Sequence, residues 1–425
     1  MLARAMDDFV RRDGALHAEG VPLHAIAQAI GTPTYVYSKA TLLGHFRRLR
    51  DAFAPVSPQI RYAVKANANL ALLRALAAEG AGFDVVSRGE IFRVLRAGGE
   101  AGKIDFAGVG KRRDEIEYAL GAGIDTFNVE SEPELDLIDT VARARGEVAR
   151  IALRVNPDVD PKTHTYIATG KKETKFGLDI ERTRRLAGTL GGLGGVRLSG
   201  LHVHIGSQIT TVEPYVEMVT RLLALARDLK TSHPGLDTVN IGGGFGIHYR
   251  EGEAREMREF AEPLVPLLRA SGFHVHMEPG RLLVGNAGVL LTRVLFVKEG
   301  GDKRFLICDA AMNDLIRPSL YGAYHRIEPV EARPGPEGAA DIVGPVCESG
   351  DFLAKDRAMP PMRAGDLLCV RSAGAYGFVM SSNYNARPRA AEVVVDGKRF
   401  AVARVRESEE DLVRGETPEP AWRAV

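Results

Sequence analysis

Apolar positions along this chain change their period near residue 60 and again near residue 285. Between those points, short runs rich in β-branched and aromatic residues read as strands, at 60–66, 83–87, 104–108, 125–130, 149–156, 197–206, 237–244 and 273–280. They alternate with longer stretches in which apolar residues recur every three or four positions, as at 70–80, 88–98, 133–145 and 212–229, the mark of helices with one buried face. Eight strands with helices between them predict an α/β architecture closed into a (β/α)8 TIM barrel, in preference to an open sheet. A helix at 41–53 precedes the first strand and completes the ring.

Beyond residue 285 the helical period gives way to strands and turns. Runs at 289–298 and 304–309 flank Gly300-Gly301-Asp302, and runs at 391–395 and 399–405 flank Asp396-Gly397, so both pairs predict hairpins. Short strands at 340–343 and 366–371 extend an all-β domain, a β-sandwich or β-barrel, over 286–425. The barrel takes 41–285, and the N-terminal segment 1–40, which carries the strand-like Thr34-Tyr35-Val36-Tyr37, is expected to contribute to the β domain. Pro334-Gly335-Pro336-Glu337-Gly338 falls inside that domain and reads as an exposed loop, not a linker. Two domains are also what 425 residues imply, because one core stops growing below that length.

Charge narrows the range of partners. With 56 Lys and Arg against 55 Asp and Glu, no overall field draws the chain to nucleic acid or to a membrane surface, which leaves small molecules as ligands. The three cysteines, Cys308, Cys347 and Cys369, lack metal-ligand spacing and cannot form a disulfide framework, so a reducing compartment, the cytoplasm, is expected and no metal site is. Met1 to Asp8 contains no apolar signal core, and no run approaches the roughly 18 to 20 apolar residues that span a bilayer.

The chemistry-bearing residues gather where barrels work, at the carboxyl ends of strands. Lys65 closes the first strand candidate, Asp84 lies in the second, His204 ends the sixth, Gly242-Gly243-Gly244 ends the seventh, and Glu278, Gly280 and Arg281 end the eighth. A lysine so placed either pairs with a carboxylate or is desolvated into a nucleophile toward carbonyls. The glycines allow backbone N–H groups to approach an anion, although an ordinary turn would read the same way, and Arg281 supplies a bidentate cation for phosphate or carboxylate. Glu278 suits a pyridine nitrogen that must stay protonated, or else pairs structurally with Arg281 or Arg154. His204 is either a satisfied core histidine or a ring stacked on a cofactor, and Ser207 can donate to phosphate. Cys347 lies in the polar, Gly/Pro-bounded run Gly344-Pro345-Val346-Cys347-Glu348-Ser349-Gly350-Asp351, a setting for a proton donor more than for packing. Together these residues describe a site for pyridoxal 5'-phosphate.

Several segments are specific enough to carry a resemblance: Tyr62-Ala63-Val64-Lys65-Ala66-Asn67, Gly82-Phe83-Asp84-Val85-Val86-Ser87, His202 to Gln208, Asn240 to Gly246, Glu278-Pro279-Gly280-Arg281, Arg317-Pro318-Ser319-Leu320-Tyr321, Cys347 to Asp351, and Tyr384-Asn385-Ala386-Arg387-Pro388. On them the chain resembles the diaminopimelate decarboxylases, in the alanine-racemase-like class of pyridoxal-phosphate enzymes, over nearly its whole length. The resemblance implies that Lys65 holds the cofactor's aldehyde, His204 stacks on its ring, Glu278 partners its ring nitrogen, and Ser207, Gly244 and Tyr376 contact its phosphate. It implies that Arg281, Arg317 and Tyr321 clamp the substrate carboxylate that is retained. Cys347 and Glu348 would come from the partner subunit, the thiol for protonation and the carboxylate for the distal ammonium, in a homodimer with shared active sites. The implied reaction takes meso-2,6-diaminopimelate to L-lysine and carbon dioxide, the last step of lysine biosynthesis. An ornithine or arginine decarboxylase on the same fold is the rival, and it would leave the Arg317 and Tyr321 clamp idle.

Overall fold

The computed structural model describes residues 7–160, 175–250, 252–301 and 303–423; Met1 to Met6 of the N-terminal stretch and Asp302 of the expected hairpin turn lie outside them. The chain divides into two compact units. One runs from Lys39 to Ala287 and takes in Gly374–Tyr376, and the other holds the N-terminal segment to Ser38 with Gly288–Ala373 and Gly377–Val425.

In the first unit, helix α1 (Lys39–Ala52) leads into eight parallel strands: β1 (Gln59–Ala63), β2 (Gly82–Val85), β3 (Ile104–Phe106), β4 (Thr126–Val129), β5 (Ala149–Asn156), β6 (Val196–Val203), β7 (Thr238–Asn240) and β8 (His274–Met277). Each pairs with the next, and β8 pairs back onto β1 through Met277 and Ile60, closing the barrel. Seven helices connect successive strands: α2 (Leu70–Ala78), α3 (Arg88–Arg96), α4 (Arg113–Ala122), α5 (Glu132–Ala144), α6 (Ile180–Thr189), α7 (Glu213–Lys230) and α8 (Met257–Ser271). Local chemistry sets several of their starts, since the side chains of Asn69, Ser87 and Asp179 accept backbone N–H groups at the first turns of α2, α3 and α6.

The strands alternate apolar and polar residues although both faces are buried. Tyr62, Phe83, Phe127, Leu153, Leu201, Val239 and Met277 are at most 1% exposed. The polar residues between them bond across the ring: Arg61 of β1 reaches Asp105 of β3, and Asn240 of β7 reaches the same Asp105 at 3.4 Å. Strands that are not neighbours can meet only through the barrel's interior, so this interior is a polar network and the apolar face of each strand packs outward on the helices.

The second unit is built on sheets. The 13-residue strand Gly288–Gly300 pairs with Thr34–Ser38, Lys303–Cys308 and Leu367–Val370, and Thr34–Ser38 in turn pairs parallel with Ala391–Asp396. The two expected hairpins form, at Gly288–Gly300 with Lys303–Cys308 and at Ala391–Asp396 with Arg399–Arg404. A core of Val36, Val289, Leu291, Cys369, Val393 and Val395 lies beneath them. Strands at Phe352–Met359 and Ile327–Pro329, and a small sheet of Phe9–Arg12, Ala15–Ala18 and Val21–Pro22, have no counterpart in the sequence pattern.

Candidate active site

Six of the eight barrel strands stop two to four residues earlier than the sequence pattern suggests, and the marked residues other than Asp84 sit in the turns just past them. Ladder pairing of β1 with β2 ends at Ala63 opposite Asp84, and Val64–Ala66 closes into a 3-10 turn with Asn67 N–H on the Val64 carbonyl. Lys65 therefore projects from a turn, not from the strand. Its Nζ lies 2.6 Å from Asp84 Oδ2, with the lysine side chain 39% exposed and the aspartate fully buried. Burial pushes the ammonium's pKa down, but Asp84, Tyr376 and Glu278 outweigh it and hold Lys65 above the ordinary lysine range. Asp84 is pushed up to about 6 by burial and by Glu278, against the pull of Lys65. Of the two fates open to such a lysine, pairing is the one realised here.

Glu278 follows β8 and is 6% exposed. Arg154, one structural partner the sequence offered it, pairs with Glu130 at 2.6 Å. Its Oε1 accepts from Asn240 Nδ2 at 2.7 Å and Asn128 Nδ2 at 3.3 Å, and its Oε2 lies 2.9 Å from His202 Nε2. Burial alone would raise its carboxyl, but His202, Lys65 and His204 hold it well below the usual carboxylate range. His204 is half-buried and so is not a core histidine; its Nδ1 takes the Gly243 N–H at 3.3 Å. Burial and the cations of Arg154 and Lys65 keep its imidazole far below the ordinary range, hence neutral.

The glycine triplet is required by crowding as much as by any ligand. A Cβ on Gly243 would land on the Glu278 carbonyl oxygen, and one on Gly244, where φ is +97°, on the Gly206 carbonyl oxygen. Gly280 caps a short helix, Arg281–Val284, against Ala63 and Ala66. Arg281 donates to Tyr249 Oη at 2.5 Å and Ser207 Oγ at 3.0 Å, and its guanidinium stands 4.9 Å from the Tyr376 ring centroid. Tyr376 is itself pinned, with φ at +56° and its N–H on the Ala66 carbonyl at 2.8 Å.

In the β unit, Arg317 and Tyr321 open and close a one-turn helix, with the buried guanidinium 5.8 Å from the tyrosine ring and its Nε on His325 Nε2 at 3.4 Å. Cys347 and Glu348 are exposed. The loop under them is tied by Asp351, which is buried and accepts from Met312 and Val346 N–H at 2.7 and 2.8 Å, while Asn385 Oδ1 holds the Cys347 N–H at 2.8 Å. Asp351 thus shapes the loop, and the thiol and the neighbouring carboxylate are presented outward.

His202, Asn128 and Asn240 were not singled out from the sequence, and each bonds Glu278. His202 and Asn240 did fall within marked segments, each two residues ahead of the nearest residue chosen, His204 and Gly242. The barrel site fits pyridoxal phosphate: an amine beside a buried carboxylate, a second carboxylate held ionised by its donors and by nearby Lys65, and an arginine grouped with hydroxyls. Buried polar atoms without a partner among the described residues, Asp84 Oδ1, Asn128 Oδ1 and His202 Nδ1, show that this end of the barrel is built for polar chemistry.

Residues 39–285 match the family model of the pyridoxal-dependent decarboxylases, pyridoxal binding domain. The diaminopimelate decarboxylase of Pseudomonas aeruginosa is 48% identical over 97% of this chain and 99% of its own length, and that of Neisseria meningitidis serogroup A is 49% identical over 94% and 98%. The crystal structure of diaminopimelate decarboxylase from M. jannaschii in co-complex with L-lysine superposes with a TM-score of 0.92 at 35% identity, covering 97% of this chain and 99% of that one. With this identity sustained from end to end and the pyridoxal-binding barrel intact, the chain belongs to the diaminopimelate decarboxylases.

Proposed function

We propose that the chain removes carbon dioxide from the D-configured centre of meso-2,6-diaminopimelate and releases L-lysine, using pyridoxal phosphate held at the carboxyl end of the barrel. The observation that carries this reading is the pairing of a turn-borne Lys65 with Asp84 beside an anionic, buried Glu278. Bound there, the cofactor supplies an electron sink for the pair left behind by carbon dioxide, strongest while its ring nitrogen is protonated. Glu278 keeps that nitrogen protonated. Lys65 would hold the cofactor's aldehyde end, and Asp84 Oδ2, at 2.6 Å from Nζ, can accept the proton its ammonium must give up to do so. His204, neutral and fixed by Gly243, offers a flat face for stacking, while Ser207, Gly243, Gly244, Gly280, Arg281 and Tyr376 take the phosphate end.

Arg317 with Tyr321, together with Arg281, binds the carboxylate that the product keeps. Cys347 supplies the proton that replaces carbon dioxide, and Glu348 meets the distal ammonium. These two act on the barrel of a partner subunit in a homodimer, a reading supported by their exposure. No helix among the described residues is long and apolar enough to cross a membrane. The sparse cysteines favour a cytoplasmic enzyme.

Carbon dioxide release from meso-diaminopimelate, L-lysine, L-ornithine and L-arginine, each with and without added pyridoxal phosphate, tests the proposal. Only diaminopimelate should react well, because a site built around a guanidinium rejects analogues that leave it unpaired. Comparable turnover of ornithine would move the chain to the polyamine branch of the fold.

A further inference from the structure

Glu278 owes its alignment to Asn240 and His202. Its Oε1 is held by Asn240 at 2.7 Å, and the orientation of that amide is not arbitrary, because Asn240 Oδ1 accepts the Gly242 N–H at 2.9 Å and leaves only Nδ2 to face the carboxylate. Its Oε2 faces His202 Nε2 at 2.9 Å. An ionised carboxylate only accepts, so Nε2 carries the proton and donates. Strand pairing on both sides of β6, His202 to Arg154 and to Asn240, sets the histidine's backbone. Its ring is 1% exposed, and Nδ1 is buried with no partner among the described residues.

We propose that His202 is a positioning residue, a one-sided donor that keeps Glu278 ionised and aimed at the cofactor's ring nitrogen. The proposal rests on the assignment of Glu278 above. A histidine kept for packing alone would usually satisfy both nitrogens, and here a single nitrogen is spent on Glu278. The carboxylate is stabilised as an anion, and its charge stays available to the protonated ring. Among the groups that hold Glu278 low against the effect of burial, His202 acts through its charge interaction and through this hydrogen bond.

The test compares His202→Leu, which deletes the donor, with His202→Gln, whose amide nitrogen takes the place of Nε2. In cofactor-free protein, difference infrared spectra with Glu278→Gln as blank report when the Glu278 carboxyl becomes protonated as pH falls. Protonation should begin about one pH unit higher in His202→Leu than in wild type, while His202→Gln follows wild type. In the loaded enzyme, His202→Leu should lower kcat about tenfold with KM little changed and move the acid limb of the kcat profile to higher pH. The proposal is overturned if Glu278 protonates at the same pH in all three proteins, or if His202→Gln loses as much as His202→Leu. Should His202→Leu fail to fold, His202→Asn, whose amide sits at the Nδ1 position, takes its place against His202→Gln. If the infrared shift is found but Glu278→Gln turns over normally, the assignment of Glu278 has failed and the bond from His202 has not.

Discussion

Two buried carboxylates lie within reach of one lysine, and their surroundings push them in opposite directions. Asp84 has one oxygen on Lys65 and one without a partner among the described residues, and sits high, at about 6; Glu278 takes three donors, from Asn240, Asn128 and His202, and sits low. That divergence separates their tasks, since a carboxylate poised near neutrality can exchange a proton with Lys65, while one far below it stays charged throughout. Replacing Glu278 by glutamine removes the charge and keeps the shape. Glu278→Gln should retain the cofactor yet lose roughly two orders of magnitude in kcat, about 2.7 kcal/mol at the transition state. Steady-state turnover beside an absorbance measure of cofactor content checks it, and a near-normal rate would mean that the ring nitrogen does not need its proton.

At the scale of elements, the eight strands and their helices were legible because helical and strand periods differ so plainly between residues 60 and 280. What the alternation within each strand meant was not. In Ile60-Arg61-Tyr62-Ala63, Phe83-Asp84-Val85 and Phe127-Asn128-Val129 a polar residue stands between apolar ones, and no period along the chain says that in the closed barrel this face turns inward. Arg61, Asp105, Asn128, His202 and Asn240 are recognisable as parts of the site only once the ring is closed and they bond across it. The same blindness hid His325 behind Arg317, a contact eight residues apart that follows neither period. The network has an energetic signature. Asp105→Leu leaves Arg61, 3% exposed, with Asp125 at 2.6 Å as its remaining carboxylate partner and should cost about 1–3 kcal/mol. In chemical unfolding, the double variant Arg61→Met with Asp105→Leu should recover part of that loss, because the buried guanidinium left short of one partner is removed and Asp125 keeps Arg150 at 3.2 Å. A double variant no more stable than Asp105→Leu would show that the pair matters for packing and not for charge.

At the scale of the molecule, the groups assigned to chemistry are divided between the two units: Lys65, His204 and Glu278 on the barrel, Cys347 and Glu348 on an outward-facing loop of the sheets. An exposed thiol and carboxylate on a loop tied down by Asp351 are suited to reach into another chain, and in a twofold dimer each subunit would then complete its partner's site. Inactive variants carrying Lys65→Ala and Cys347→Ala should therefore complement when mixed under conditions that exchange subunits. A mixed dimer holds one site with both native residues and one with neither. Random exchange makes about half of the dimers mixed, so activity should recover to about a quarter of the native level. Exchange itself is followed independently, by differently tagged chains recovered together. If exchange is complete and the mixture stays as inactive as its parents, Cys347 serves the barrel of its own chain or has no part in the reaction.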